Sequence, residues 1–213
     1  MDKKNIDYTL YLVTDRDLMK SDSIETAVRA AIEGGTTLVQ LREKTASSRE
    51  FFEIARAVKK ITDSCDIPLI VNDRVDIAFA VGAAGVHVGQ EDIPAAVVRR
   101  LAGPEAVVGV SASTVEKALE AERDGADYLG VGAMFATGTK TDAKATAVAE
   151  LKAIRAAVKI PIVAIGGIQE SNLEVLAGTG IDGIAVVSAI LCQDDVQQAA
   201  ANLRRKFQET MKR

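Results

Sequence analysis

A chain of 213 residues, 48% hydrophobic and 26% charged, can bury one large core and lacks the bias of a disordered or fibrous protein. Its 26 basic and 30 acidic residues leave a net charge of −4, which argues against general nucleic-acid binding and keeps any basic site local. Aromatics are 4% with no Trp, so the core must be Val, Ile, Leu and Ala, a composition suited to parallel strands covered by Ala-rich helices.

The chain starts with the polar MDKKNIDY, and no apolar run reaches the length of a membrane span. Apolar strands are expected at Leu10–Val13, Leu38–Leu41, Pro68–Val71, Gly85–Val88, Val107–Val110, Tyr128–Val131, Ile162–Ile165 and Gly183–Val187. Segments of helical periodicity lie between them, such as Ile24, Ala27, Val28, Ala31 and then Phe51, Ile54, Ala55, Val58. A last helix is expected from about Asp194 to Met211. Eight strands alternating with eight helices predict an α/β protein, a single-domain (β/α)8 TIM barrel over residues 1–213. Cys65 and Cys192 stand far apart without a metal-ligand pattern and read as reduced thiols of a cytoplasmic protein.

Chemistry in such a barrel sits where strands end and βα-loops begin. Those positions hold Thr14-Asp15-Arg16, Gln40-Leu41-Arg42-Glu43-Lys44, Asn72-Asp73, Gly89-Gln90-Glu91-Asp92, Ser111, the stretch from Gly132 to Lys140, Gly166-Gly167 and Val187-Ser188. The βαβ unit from Pro68 to Asp92 leaves its strands parallel, so Asp73 and Asp92 meet at one mouth across about 19 residues of sequence. Two carboxylates there suit Mg²⁺, an ion held by one or two carboxylates plus substrate phosphates. The other reading makes both residues helix caps. Gln40, Arg42 and Lys44 alternate at period two and are expected on one face, a fork and an ammonium for phosphate oxygens.

GAMFATGTKTDAKATA is a long connection after the sixth strand, and Thr137, Gly138, Thr139 and Lys140 offer the parts of an anion cradle. It is not a P-loop, since Thr139 stands directly before the Lys. Gly167, Val187 and Ser188 lie where loops after strands seven and eight commonly bind phosphate. His87, the only histidine, reads as a barrel-lining or helix-facing structural residue rather than a general acid or base, and nothing suggests covalent catalysis.

The runs YLVTDR, QLREK, VNDRVDIA, GVHVGQED, GVSAST, GAMFATGTKTDA, VAIGGI and AVVSAI together resemble the thiamine-phosphate synthase family over nearly the whole chain. That family joins a hydroxymethylpyrimidine pyrophosphate to a hydroxyethylthiazole phosphate and releases pyrophosphate. The resemblance implies small-molecule substrates, with Gln40, Arg42, Lys44 and Asn72 on the pyrimidine pyrophosphate, alongside Leu41 and Glu43 of the same motif. It implies Mg²⁺ on Asp73 and Asp92, and Ser111, Lys140 and Arg42 acting on the leaving pyrophosphate. Thr137, Gly138, Thr139, Gly167, Val187 and Ser188 would surround the thiazole phosphate. Ala133 stands where the family usually has Pro, and Ala84 replaces a frequent acidic residue. A related thiazole tautomerase relies on a His after the fifth strand, where this chain reads GVSASTVEK. A non-catalytic phosphate-binding barrel is the third reading, and the complete leaving-group set weighs against it. No nucleic acid or membrane partner is expected, and the sequence allows a homo-oligomer.

Overall fold

The computed structural model describes residues 3–135 and 148–212. In chain order the elements are a 3₁₀ turn (Lys3–Asn5), β1 (Leu10–Val13), α1 (Ile24–Glu33), β2 (Leu38–Leu41), α2 (Ser48–Ser64), β3 (Leu69–Asn72) and α3 (Val75–Ala80). They continue with β4 (Gly85–Val88), α4 (Ala95–Ala102), β5 (Val107–Ala112), α5 (Val115–Arg123), β6 (Tyr128–Val131) and α6 (Val148–Ala157). The last are β7 (Ile162–Ile165), a second 3₁₀ segment (Glu170–Leu176), β8 (Gly183–Val186), α7 (Ser188–Leu191) and α8 (Val196–Met211). Each strand pairs in parallel with the next, and β8 returns to β1 with Leu10 opposite Ile184, so the barrel is closed. The expected fold class is correct.

Period-two alternation divides the apolar residues into two cores. Leu10, Leu12, Val39, Leu41, Leu69, Val71 and their counterparts face outward and pack under the helices. Tyr11, Val13, Leu38, Ile70, Val107, Tyr128, Val163 and Ala185 face inward with Tyr8 and fill the barrel. On α2 the buried residues Phe51, Ala55, Val58 and Ile61 recur at three- and four-residue spacing, which turns one stripe of the helix to the sheet.

One expected helix is different. Between β7 and β8 the chain forms only the 3₁₀ segment, started by a reciprocal pair of bonds between Gln169 and Asn172. Gly178 and Gly180, both at positive φ, turn the chain back towards β8. Leu173 and Leu176 of this segment are buried and do the packing that a covering helix does elsewhere. After β8 the chain makes α7, a single turn, and then α8, which begins within two residues of its expected start.

α8 closes the helical layer against α1. A Cβ on Gly34 would lie 2.2 Å from the Gln197 carbonyl oxygen, so only glycine permits that approach. Asp195 caps α8, its carboxylate accepting from the Gln198 amide at 2.8 Å. Asp195→Ala is therefore expected to lower stability by about 1 kcal/mol, read from the urea midpoint; an unchanged midpoint would show this cap to be idle.

Candidate active site at the carboxyl ends of the strands

The mouth is built on strand ends whose backbone is already fixed by the ladder. Asn72 closes β3, and Asp73 follows in the left-handed region with φ 61°. That conformation is one Asp adopts more readily than most residues. The Asp73 amide donates to the His87 carbonyl of β4 at 2.8 Å, and the Asn72 amide group reaches the same oxygen at 3.3 Å. Asn72 Nδ2 also donates to Asp73 Oδ1. These bonds aim the Asp73 carboxylate across the mouth.

There it meets Lys44, whose Nζ lies 2.5 Å from Asp73 Oδ2. The Asp73 carboxyl is held above the ordinary carboxylate range, chiefly by burial, with the neighbouring Asp92 pushing the same way and the Lys44 ammonium opposing both. So Asp73 and Asp92 do come together, as the parallel crossover required. Neither is a helix cap. The residue preceding α3 is Arg74 and that preceding α4 is Pro94, neither with a side-chain capping bond. Asp92 instead accepts from the Gly89 amide at 2.7 Å, which closes the loop after β4.

Gln40, Arg42 and Lys44 do not share one face. Gln40 is inside the barrel, 5% exposed, and donates to the Tyr11 hydroxyl at 2.8 Å. β2 ends at Leu41, so alternation stops there and the next residues turn separately. The Arg42 guanidinium runs towards β1, its Nη1 2.9 Å from Asp15 Oδ2, while its amide donates to Thr14 Oγ1 at 3.0 Å. Lys44 runs the other way, towards β3. Leu41 is fully buried in the outer core, which leaves only its backbone for the mouth.

Glu43 is held by Arg16, whose Nε donates to Glu43 Oε2 at 2.9 Å and which also reaches Glu50. Burial pushes the Glu43 carboxyl up, and Arg16 opposes the shift. Ser111 lies within β5 rather than beyond it, because that strand continues to Ala112. Its hydroxyl meets His87 Nε2 at 2.9 Å, and its carbonyl accepts from Gln90 Nε2 at 2.7 Å. The sequence left His87 either lining the barrel or facing a helix; it lines the barrel, and its contact with Ser111 is the feature that reading missed.

Gly166 and Gly167 follow β7, both at positive φ. A Cβ on Gly166 would lie 2.6 Å from that of Ala133, so glycine lets the loops after β6 and β7 touch. Asn172 holds the Gly167 carbonyl at 2.9 Å. Val187 and Ser188 lead into α7, and Ser188 lines a recess of about 480 Å³ with Gln169, Glu170 and Ser171. The loops after β7 and β8 thus meet. Thr137, Gly138, Thr139 and Lys140 lie outside the described residues.

The family model for thiamine monophosphate synthase matches residues 10–190. A protein of Clostridium tetani named thiamine-phosphate synthase is 58% identical over 98% of this chain and all of its own length. The protein of that name from Ruminiclostridium cellulolyticum is 60% identical over 96% of this chain and 98% of its own. Among solved structures, thiamine phosphate pyrophosphorylase from Pyrococcus furiosus superposes with a TM-score of 0.89 at 43% identity, covering 97% of this chain and 98% of that one. A native KDPGal structure superposes with a TM-score of 0.73 at 18% identity, a likeness of fold alone. With a closed barrel, a polar mouth at its strand ends and near-complete coverage by these relatives, the chain belongs to the thiamine monophosphate synthase family.

Proposed function

We propose that this protein is a thiamine-phosphate synthase, joining hydroxymethylpyrimidine pyrophosphate to hydroxyethylthiazole phosphate with release of pyrophosphate. The observation that carries this reading is the Lys44–Asp73–Asp92 array at the mouth, where Asp73 meets the Lys44 ammonium and also neighbours a second carboxylate, Asp92. Such an array suits a pyrophosphate arriving with its own cation.

The donor set fits Mg²⁺. Asp73 and Asp92 offer only oxygen, and among the described residues no group of three or more His, Cys, Asp or Glu side chains converges. Asp73 and Asp92 would hold the ion, and water and substrate phosphate oxygens would supply its remaining ligands. When bound there, Mg²⁺ would neutralise charge on the pyrophosphate oxygens.

This chain's residues do the remaining work by position and charge. Arg42, turned on its strand end by Asp15, presents the rest of its fork to a phosphate, and Lys44 offers its ammonium to the same anion. Asn72 steadies Asp73 and has its amide group at the mouth. Ser111 donates its hydroxyl to the leaving oxygens, and Lys140 is assigned to the same group from the sequence motif. The electron-rich aminopyrimidine loses pyrophosphate to give a stabilised cation, and the thiazole nitrogen captures it, so no protein nucleophile is needed. Gly167, Val187 and Ser188, with Thr137, Gly138 and Thr139, take the thiazole phosphate. Both cysteines are free, in keeping with a reducing cytoplasm, and among the described residues no helix is long and apolar enough to cross a membrane.

Pyrophosphate release measured with both substrates tests the reaction; release without the thiazole phosphate at the same rate would reduce it to a hydrolase. A divalent cation is expected to be required. Dialysis against chelator should abolish release, and added Mg²⁺ should restore it. Full activity in excess chelator would remove the cation from the mechanism.

A further inference from the structure

A hydrogen-bonded chain crosses the barrel interior from β2 to β5. Gln40 Nε2 donates to the Tyr11 hydroxyl at 2.8 Å, Tyr11 and Tyr128 hydroxyls are 2.7 Å apart, and Tyr128 is 3.0 Å from His87 Nδ1. His87 Nε2 is 2.9 Å from Ser111 Oγ. The rings are fixed in place. Tyr11 and Tyr128 are fully buried, Tyr128 meets Tyr11 edge-on at 5.9 Å, and His87 lies 5.5 Å from Tyr128. Room for them comes from glycine: a Cβ on Gly109 would lie 2.2 Å from Tyr128, and one on Gly130 would lie 3.1 Å from His87.

The direction of every proton in this chain follows from its first member. An amide NH₂ can only donate, so the Tyr11 oxygen accepts from Gln40. The buried Tyr11 hydroxyl has one hydrogen, and the Tyr128 oxygen is the acceptor the structure places beside it, so Tyr11 donates to Tyr128. Tyr128 accepts there and donates its own hydrogen to His87 Nδ1. Burial pushes both phenols up, so neither loses its proton in use. A neutral imidazole that accepts at Nδ1 carries its hydrogen at Nε2. Nε2 then donates to Ser111 Oγ, and the serine's own hydrogen is left to point elsewhere.

We propose that His87 is a positioning residue, held as the Nε2–H tautomer by the Gln40–Tyr11–Tyr128 chain, which makes Ser111 an obligatory donor towards the mouth. This rests on the reading of Ser111 as a contact to the leaving pyrophosphate. A hydroxyl free to rotate spends part of its time as an acceptor, a wrong polarity beside an anion. With Nε2 carrying the hydrogen of the His87–Ser111 bond, Ser111 cannot spend its own hydrogen on the imidazole and keeps it for the mouth, where its donated bond strengthens as charge grows on the leaving oxygens.

Because His87 is the only histidine in the chain, imidazole ¹⁵N NMR of the whole protein reads its tautomer without ambiguity. The expected spectrum shows the proton on Nε2; a proton on Nδ1 overturns the proposal, and no activity is involved. Tyr128→Phe should let both tautomers appear, and Tyr11→Phe, cut one step earlier, serves as the second variant. An unchanged Nε2–H tautomer in both overturns the chain as its cause. Tyr128→Phe should lower kcat about tenfold with little change in the KM of either substrate. In a Ser111→Ala background it should change nothing further, whereas additive losses would assign Tyr128 a purely structural role. Wild-type turnover in Ser111→Ala would overturn both the positioning and the leaving-group contact, and the tautomer measurement distinguishes that failure from failure of the chain itself.

Discussion

Asp73→Asn is expected to lower turnover about a hundredfold or more while the melting temperature stays where it is or rises slightly. On the proposed mechanism the charge at this position serves the cation and not the fold. The carboxyl is held high, by burial first and then by Asp92, so the folded chain favours its protonated form relative to the unfolded chain. The stability from such a group is fully present below its unfolded pKa and is lost as pH rises through the folded one. At neutral pH ionised Asp73 is thus a liability, only partly offset by a half-exposed Lys44. Asn removes that liability, keeps a shape that tolerates φ 61°, and should gain on the wild type from acid to neutral pH. Asp73→Ala has the same kinetic defect and a backbone strain of about 1–2 kcal/mol in addition. Single-turnover rates at saturating Mg²⁺, beside melts at several pH values, separate the two effects. A normal rate in Asp73→Asn would move the cation off this carboxylate.

The second large effect is on closure of the barrel. A Cβ on Gly183 would lie 1.7 Å from the Tyr8 carbonyl oxygen, and one on Gly85 would lie 1.9 Å from that of Val107. Both obstacles are backbone, so no side-chain rotation relieves them; strands must separate where β8 meets the approach to β1, or β4 meets β5. Gly183→Ala and Gly85→Ala should each lose more than about 3 kcal/mol or fail to accumulate as soluble protein. Gly82→Ala is the control. It has positive φ but nothing within 4 Å, and strain alone predicts about 1–2 kcal/mol. Equal urea midpoints for Gly85→Ala and the wild type would show that the barrel wall yields there.

Strands buried on both faces advertise themselves as continuous apolar runs, which is why all eight were legible within two residues at each end. Their order and parallel pairing then brought Asp73 to Asp92. Side-chain directions beyond a strand end were not legible. Arg42 and Lys44 part company because Asp15 and Asp73 draw them to opposite neighbours, and period two says nothing once extension stops. The 3₁₀ form of the segment after β7 was hidden because ESNLEVL sets its buried Leu173 and Leu176 three residues apart, a spacing that suits an α-helix and a 3₁₀ turn alike. The interior chain from Gln40 to Ser111 left a faint trace. Counting parity along β4, β5 and β6 puts His87, Gly109, Ser111, Tyr128 and Gly130 on one side, small residues beside large rings. That alternation of size is the signal a reader could have used.

The inward cluster of Tyr8, Tyr11 and Tyr128 sets the side from which the site is reached. Rings at 5.0 and 5.9 Å centroid separations stopper the amino-terminal end of the barrel, and the Lys3–Asn5 turn lies below them, tied by Lys3 Nζ at 2.9 Å to Asp127. That end offers no way through, so both reactants reach the site, and both products leave it, on the carboxyl-terminal side of the strands where Lys44 and Asp73 stand.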